Sequence, residues 1–102
     1  MAKLYALYKR PADPAAFDRY YYATHVPIAK KVPGLRHYEV TSGPVASPGA
    51  ESPYHLIATL TFDSMDAIEA ALASPEGQAT AADLANFASG GVDLCIADTR
   101  SI

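Results

Sequence analysis

The chain has 102 residues, of which 50% are hydrophobic and 19% are charged, and its formal net charge is −3. This length predicts a single domain over residues 1–102, and the composition excludes a disordered chain. The acidic balance argues against nucleic acid as a partner, because nucleic-acid binders usually carry a basic surface. A lone cysteine, Cys95, and the lack of a recognisable signal peptide or membrane-length apolar run lead us to expect a cytoplasmic protein with no membrane partner.

The predicted elements begin with a strand and a helix. Residues 3–9 alternate in polarity, which is typical of a strand with one buried face. Asp13 and Pro14 then mark a helix start, since aspartate caps free backbone N–H groups and proline suits the first helical position. We expect this helix to run to about residue 24.

The inner face of this helix carries a row of mainly aromatic side chains. The members of the row are Phe17, Tyr20, Tyr21 and Thr24, and the same spacing continues to His25. Pro27 disfavours a helical conformation at the residue before it, so we expect a kink or restart near His25. Residues 28–32 can add another turn before Pro33 and Gly34 end the helix.

The rest of the chain adds three strands and a split helix. Strands are predicted over residues 35–42, 54–62 and 92–98. Residues 43–53, rich in glycine and proline, predict a hairpin loop, and Ser64 and Ser74 predict two helix starts. The resulting β–α–β–β–α–β order predicts an α+β ferredoxin-like fold, with a four-stranded antiparallel sheet and the helices on one side.

The two faces of this sheet differ in the residues that they carry. The face suited to the helices holds Leu4, Ala6, Tyr8, Val40, Leu56, Ala58, Leu60, Phe62, Leu94 and Ile96. The opposite face holds Tyr5, Leu7, His37, Glu39, His55, Ile57, Thr59, Cys95 and Ala97. Because this second face is too apolar for free solvent, we expect a homodimer joined through the sheet faces. The alternative is a monomer with a half-exposed sheet.

Two stretches of the sequence resemble the EthD family. The first covers residues 17–40 and is an aromatic helix followed by His25-Val26-Pro27 and then Pro33-Gly34-Leu35. The second covers residues 72–79 and 83–87. The family takes its name from a small protein needed in bacterial ethyl tert-butyl ether degradation. The resemblance implies a dimeric α/β barrel built from two ferredoxin-like subunits.

The resemblance implies less about chemistry than about fold. Most EthD-like proteins have no assigned reaction. Relatives on the same barrel include dehydratases, cyclases and cofactor-free monooxygenases of aromatic polyketides, and haem-degrading enzymes. A reaction carried over from them would rest on fold analogy alone.

Three side chains are candidate catalytic residues in a pocket beside the first helix. His25 matches the histidine of the family motif, and an imidazole can act as general acid or base near neutral pH. Its alternative role is to cap carbonyl groups freed at the helix break. Tyr21 and Tyr38 can hold a carbonyl or a developing oxyanion, or else are core residues with satisfied hydroxyls. We expect Tyr22 to point away from this row.

The strand residues His37, Glu39 and His55 predict a hydrogen-bonded network at the dimer interface, in preference to a metal or acid–base cluster. Cys95 is expected to be inert in the middle of a strand. No glycine-rich phosphate loop follows a strand, so we expect no nucleotide site.

Two functions remain open from the sequence. The first is an enzyme that needs no cofactor and acts on a small hydrophobic or aromatic compound by proton transfer, dehydration or oxygenation. The second is a non-catalytic binding or accessory protein that supports a degradation or biosynthetic oxidase. A third alternative is a haem-binding protein in which His25 ligates the iron.

Overall fold

The computed structural model describes residues 1–102. The strands are β1 (Ala2–Lys9), β2 (His37–Val40), β3 (Tyr54–Phe62) and β4 (Val92–Asp98). The helices are α1 (Pro14–Tyr20), α2 (Val26–Ala29), α3 (Met65–Ala73) and α4 (Pro75–Asp83). A π-helical turn, Tyr21–His25, joins α1 to α2, and a short 3-10 helix, Leu84–Asn86, follows α4. None of these helices has both the length and the apolar content to cross a lipid bilayer.

The four strands form one antiparallel sheet in the order β2-β3-β1-β4, which confirms the predicted ferredoxin-like α+β fold. The first and last strands of the chain lie side by side, with Ala2 opposite Asp98. β2 is shorter than the predicted residues 35–42. Backbone hydrogen bonds from Arg36 to the Thr61 carbonyl (2.8 Å) and from Thr41 to Ile57 (3.0 Å) nevertheless continue its pairing with β3 at both ends.

Side-chain caps start the helices where the sequence predicts them. Each cap accepts the backbone N–H three residues on: Asp13 from Ala16 (3.1 Å), Ser64 from Ala67 (3.1 Å) and Ser74 from Gly77 (3.0 Å). These bonds satisfy N–H groups that have no partner inside the helix. At the corner between α3 and α4, a Cβ on Gly77 would lie 2.0 Å from the Ala71 carbonyl oxygen. The close approach of α4 to α3 therefore requires glycine at this position.

The irregularity expected near His25 takes the form of a π-helical turn. The backbone N–H of Val26 donates to the carbonyl of Tyr21, five residues earlier. Proline has no N–H and its ring crowds the carbonyl four residues before it, and a wider turn accommodates both effects at Pro27. Thr24, which was expected on the inner face, is exposed. The wider π-helical turn changes the spacing of the side chains, so Thr24 no longer lies in the row that α-helical spacing predicts.

The core lies between the helices and the inner face of the sheet. Its largest fully buried side chains are Tyr8, Tyr21, Phe62 and Ile68. Two residues assigned to this covered face are exposed instead, Leu94 to 55% and Ile96 to 38%. Both belong to β4, an edge strand, where side chains have sheet neighbours on one side only. Leu72 of α3 is also exposed, whereas its neighbour Ala71 is buried.

A bulge in β3 corrects the expected position of His55. Tyr8 pairs with Leu56, but the next residue, Lys9, pairs with Tyr54, so His55 is an extra residue in the strand. Its ring packs edge-on against Phe17 of α1, with 4.9 Å between ring centroids. His55 therefore lies on the helix side of the sheet, because the extra residue of the bulge interrupts the alternation of faces.

The expected interface network of three residues is accordingly wrong. His37 and Glu39 are exposed on β2, with Thr61 and Thr59 as their pairing partners, and they remain on the outer face. His55 contacts α1 and cannot join them there. The outer face also carries half-buried side chains, among them Tyr5 and Leu7.

Candidate functional site

A small apolar cavity lies between the inner face of the sheet and the helices. Its volume is about 80 Å³, and 15 of its 18 lining residues are hydrophobic. Leu72 and Leu94 line it and are themselves exposed, so the cavity opens to solvent between α3 and β4. Polar groups in the wall come from His25, Thr80 and three tyrosines that are counted among the hydrophobic residues, Tyr8, Tyr21 and Tyr38. Such a wall favours a small, mostly apolar ligand that carries few hydrogen-bonding atoms.

His25 is the basic group of this cavity. The residue is 3% exposed, and its Nδ1 lies 2.8 Å from Oδ2 of Asp83. An ionised carboxylate can only accept hydrogen bonds, so the network assigns the ring proton to Nδ1. No protein group hydrogen-bonds Nε2, and no polar side-chain atom of the chain is both buried and unpaired. Nε2 of His25, a residue that lines the cavity, therefore has no partner in the protein and is not fully enclosed.

Asp83, at the end of α4, is a buried carboxylate with three donors. Its Oδ1 accepts from the Tyr20 hydroxyl at 2.6 Å and from Nδ2 of Asn86 at 3.0 Å, and Oδ2 accepts from His25. Burial by itself raises the pKa of the Asp83 carboxyl, but these three hydrogen bonds outweigh it and hold the pKa below its ordinary value. The pKa of Tyr20 is raised, chiefly because its hydroxyl proton is held by this carboxylate.

Sequence reasoning did not identify Asp83. It lies 58 residues from His25 in the chain, and its partners come from three different elements. One weak signal was available. A carboxylate in the last turn of a helix is opposed by the helix dipole, and Asp83 is followed by the apolar residues Leu84 and Phe87. An acid in that position needs compensating donors.

Tyr21 and Tyr38 meet in the wall of the cavity. Their hydroxyl oxygens are 2.5 Å apart, with Tyr21 fully buried in the π-helical turn and Tyr38 half-buried in β2. Burial, with the nearby Tyr38 hydroxyl, raises the pKa of Tyr21. Burial also raises the pKa of Tyr38, although the hydrogen bond with Tyr21 opposes that rise. Both phenols are neutral at physiological pH, and whichever one donates, the other keeps a proton for a ligand.

Tyr8 is a further polar group that sequence reasoning treated only as core. The residue is 1% exposed and lines the cavity, and its hydroxyl has no protein hydrogen-bond partner but is not fully enclosed. Burial raises the pKa of Tyr8, with smaller contributions from Tyr38 and Asp83. Its alternation with Leu4 and Ala6 is the ordinary pattern of a core strand, so nothing in the sequence distinguished it.

The structure thus brings His25, Tyr21 and Tyr38 to one cavity and leaves Tyr22 outside it, 51% exposed. The ring of His25 packs against Phe87 at 4.6 Å and against Tyr21 at 5.4 Å between centroids. No helix carbonyl hydrogen-bonds this ring, so the alternative role of His25 as a helix cap is wrong.

The arrangement suits acid–base chemistry. Its one basic atom is an imidazole nitrogen fixed by a carboxylate, and its donors are neutral phenols. Thr80 is not an activated nucleophile, because its hydroxyl donates to the carbonyl of Glu76 at 2.8 Å. His25 is also the lining residue able to ligate iron, but a haem is far larger than a cavity of about 80 Å³.

The comparisons with known proteins point to one family. The sequence model of the EthD domain matches residues 9–91. An uncharacterised 11.0 kDa protein from the thcB-thcC intergenic region of Rhodococcus erythropolis is 40% identical over 102 residues, which are 100% of this chain and 98% of that protein. The crystal structure of an ethyl tert-butyl ether degradation (EthD) family protein from Bacillus halodurans matches with a TM-score of 0.89 and 37% identity, covering 98% of this chain and 99% of that one.

More distant structures share the fold alone. SnoaB, a cofactor-independent oxygenase from Streptomyces nogalater, matches with a TM-score of 0.69 and 16% identity, covering 99% of this chain and 94% of that one. A dimeric ferredoxin-like protein of unknown function from Thermobifida fusca matches with a TM-score of 0.70 and 14% identity, covering 96% and 90% of the two chains.

Proposed function

The chain belongs to the EthD family, and from that premise we propose that it binds a small apolar compound in the His25 cavity and transfers a proton to or from it. The observation that carries the proposal is that His25 lines an apolar cavity with its Nε2 unpartnered, while Asp83 holds Nδ1. His25 is the general base or acid. Tyr21 and Tyr38 hold an oxygen of the substrate, and the protein supplies these groups without a cofactor.

A ketone illustrates how these groups would work together. The carbonyl oxygen accepts a hydrogen bond from the free hydroxyl of the Tyr21–Tyr38 pair, and Nε2 of His25 takes a proton from the adjacent carbon. The electron pair of that C–H bond moves toward the carbonyl oxygen, where the phenol stabilises the developing charge. Asp83 stabilises the imidazolium that forms, as a carboxylate does beside a catalytic histidine. Dehydration or oxygenation would begin with the same proton transfer.

The second candidate is a non-catalytic carrier that supports a partner oxidase, including one that degrades ethers. It is favoured by the apolar character of the wall, in which 15 of 18 residues are hydrophobic. It is also favoured by the fact that Tyr21 and Tyr38 satisfy each other when no ligand is bound. In this role the cavity would select ligands by size and apolar surface, and His25 would act as a hydrogen-bonding group only.

Proton exchange on a small ketone separates the two functions. The test follows deuterium incorporation next to the carbonyl of butanone and acetophenone in D₂O by NMR. If the protein is an enzyme, the wild type should accelerate the exchange. His25→Gln should abolish this acceleration while still binding the ketone. His55→Gln, which changes a histidine outside the cavity, is the matched control and should exchange like the wild type. Equal ketone binding by all three proteins with no exchange would support the carrier.

We also propose that the protein forms a homodimer through the outer sheet faces, which would make a dimeric α/β barrel. Half-buried apolar side chains on that face, such as Leu7 and Ile57, support the proposal, and the fold neighbour from Thermobifida fusca is described as dimeric. Ile57→Glu should shift the mass measured by light scattering from dimer to monomer. Lys30→Glu, on an exposed position after α2, should leave the dimer intact. A monomeric wild type would contradict this assembly.

A further inference from the structure

A second depression shares no lining residue with the His25 cavity. It is a groove of about 380 Å³ between α1, the bulged end of β3 and the loop that follows β2. Its charged and polar side chains are Arg10, Asp18, Thr41, Tyr22, Tyr54 and His55. We propose that this groove binds a small aromatic carboxylate, independently of the proton transfer proposed at His25.

The β-bulge builds one wall of the groove. Because His55 is the extra residue of β3, its ring turns toward α1, where it packs edge-on against Phe17. Its Nε2 lies 2.8 Å from Oδ1 of Asp18, and the His55 side chain is only 19% exposed. The wall is therefore held by a hydrogen bond and an aromatic contact. One oxygen of the half-exposed Asp18 carboxylate is occupied by this hydrogen bond.

Arg10 supplies the charge that lacks a partner. Its Nε donates to the carbonyl oxygen of Ser52 at 3.0 Å, which holds the guanidinium in place. No carboxylate lies within ion-pair distance of Arg10, and its two terminal nitrogens have no protein hydrogen-bond partner. A guanidinium edge with two free N–H donors matches the two oxygens of a carboxylate. The Arg10 side of the groove therefore favours an anion.

The remaining lining fits the body of such a ligand. The ring of Tyr22 is half-exposed and offers a face for an aromatic ring, and Pro44 and Val45 supply apolar surface. Thr41 Oγ1 accepts the backbone N–H of Ile57 at 3.1 Å, which leaves its own proton free to donate to a ligand oxygen. Benzoate is the simplest molecule that combines a carboxylate with an aromatic body.

The test is a titration of ¹⁵N-labelled protein with benzoate, followed by NMR. We expect benzoate to shift the amides of Thr41, Gly43 and Tyr54, and benzyl alcohol, which lacks the charge, to leave them unchanged. Arg10→Gln should weaken benzoate binding by about tenfold or more, the loss expected for charge-assisted hydrogen bonds. Arg19→Gln removes an equal charge from an exposed position on α1 outside the groove and should bind like the wild type.

Tyr22→Ala provides a second variant that leaves the Arg10–Ser52 bond intact, in case Arg10→Gln perturbs the fold. It should also weaken benzoate binding while the other amide signals stay in place. The proposal is overturned if benzoate shifts no amide of the groove, or if it shifts only amides of the His25 cavity such as Ala71 and Thr80. Equal binding by Arg10→Gln and Arg19→Gln, both folded, would overturn it as well.

Discussion

Nδ1 of His25 lies 2.8 Å from Oδ2 of Asp83, and these two buried side chains join the π-helical turn to the end of α4. The contact has two consequences. It fixes which nitrogen of His25 carries the proton, and it closes α4 over the cavity that His25 lines. Four predictions test these consequences and the phenol pair beside them.

Asp83→Asn should change the tautomer of His25. The asparagine side chain can donate an N–H to Nδ1, and the ring proton then moves to Nε2, where no lone pair remains for a substrate. The ¹⁵N chemical shifts of the His25 ring nitrogens report the tautomer directly. The signals of His55, which pairs with Asp18, are an internal control and should not move. An unchanged pattern at His25 would contradict the role of Asp83 in positioning the ring.

Asp83→Ala should destabilise the fold strongly. The substitution leaves the donors of buried His25 and half-buried Tyr20 without an acceptor, and an unsatisfied buried donor typically costs about 1–3 kcal/mol. Urea denaturation measures the change in the free energy of unfolding. Asp63→Ala is the control, because it removes the exposed ion pair with Arg36, a kind that contributes about 0–1 kcal/mol. Similar losses of unfolding free energy in the two variants would show that the buried network contributes little to the stability of the fold.

Acid should remove the stability that Asp83 contributes. The pKa of its carboxyl is held below the ordinary value of 3.8 in the folded protein, so the unfolded chain binds its proton first as pH falls. The contribution is therefore complete above pH 3.8 and is lost as pH falls through the lower folded pKa. Urea denaturation over this acid range should show that the difference in unfolding free energy between wild type and Asp83→Asn decreases as pH falls. A difference in unfolding free energy that stays constant with pH would contradict the lowered pKa of Asp83.

Tyr21 and Tyr38 should behave as a coupled pair. Tyr38→Phe leaves the fully buried hydroxyl of Tyr21 without its partner, which should cost about 1–3 kcal/mol of unfolding free energy. The double substitution to phenylalanine removes both hydroxyls and should cost less than the sum of the two single changes. Thermal or urea unfolding of the four proteins gives the coupling energy. Strict additivity would mean that the two hydroxyls do not interact.

The sequence predicted the helix starts and the strands well because their signals are local. Asp13, Ser64 and Ser74 cap the helices that they were expected to cap, and β3 and β4 have the expected bounds. Of the site, His25, Tyr21 and Tyr38 were named from the motif and the helical row. Tyr8 was not, because a tyrosine in a core strand looks the same whether or not its hydroxyl meets a cavity.

The errors arose where alternation or periodicity is interrupted. A single extra residue, His55, interrupts the alternation of faces at the start of β3, and no local pattern marks a bulge there. Leu94 and Ile96 lie on the expected face, but their exposure follows from the position of β4 at the sheet edge. Strand order is a property of the whole sheet, so a pattern within one strand cannot report it.

By itself, the sequence determined the order and type of the elements and the antiparallel sheet, because apolar periodicity, capping residues and prolines act on neighbours in the chain. It also placed His25 at an irregularity of the first helix, near Pro27. Only the tertiary structure decided that Asp83 holds this histidine, that Tyr8 borders the cavity and that Arg10 faces a groove without an ionic partner. Those relationships join residues far apart in the chain, and they exist only after the helices pack on the sheet.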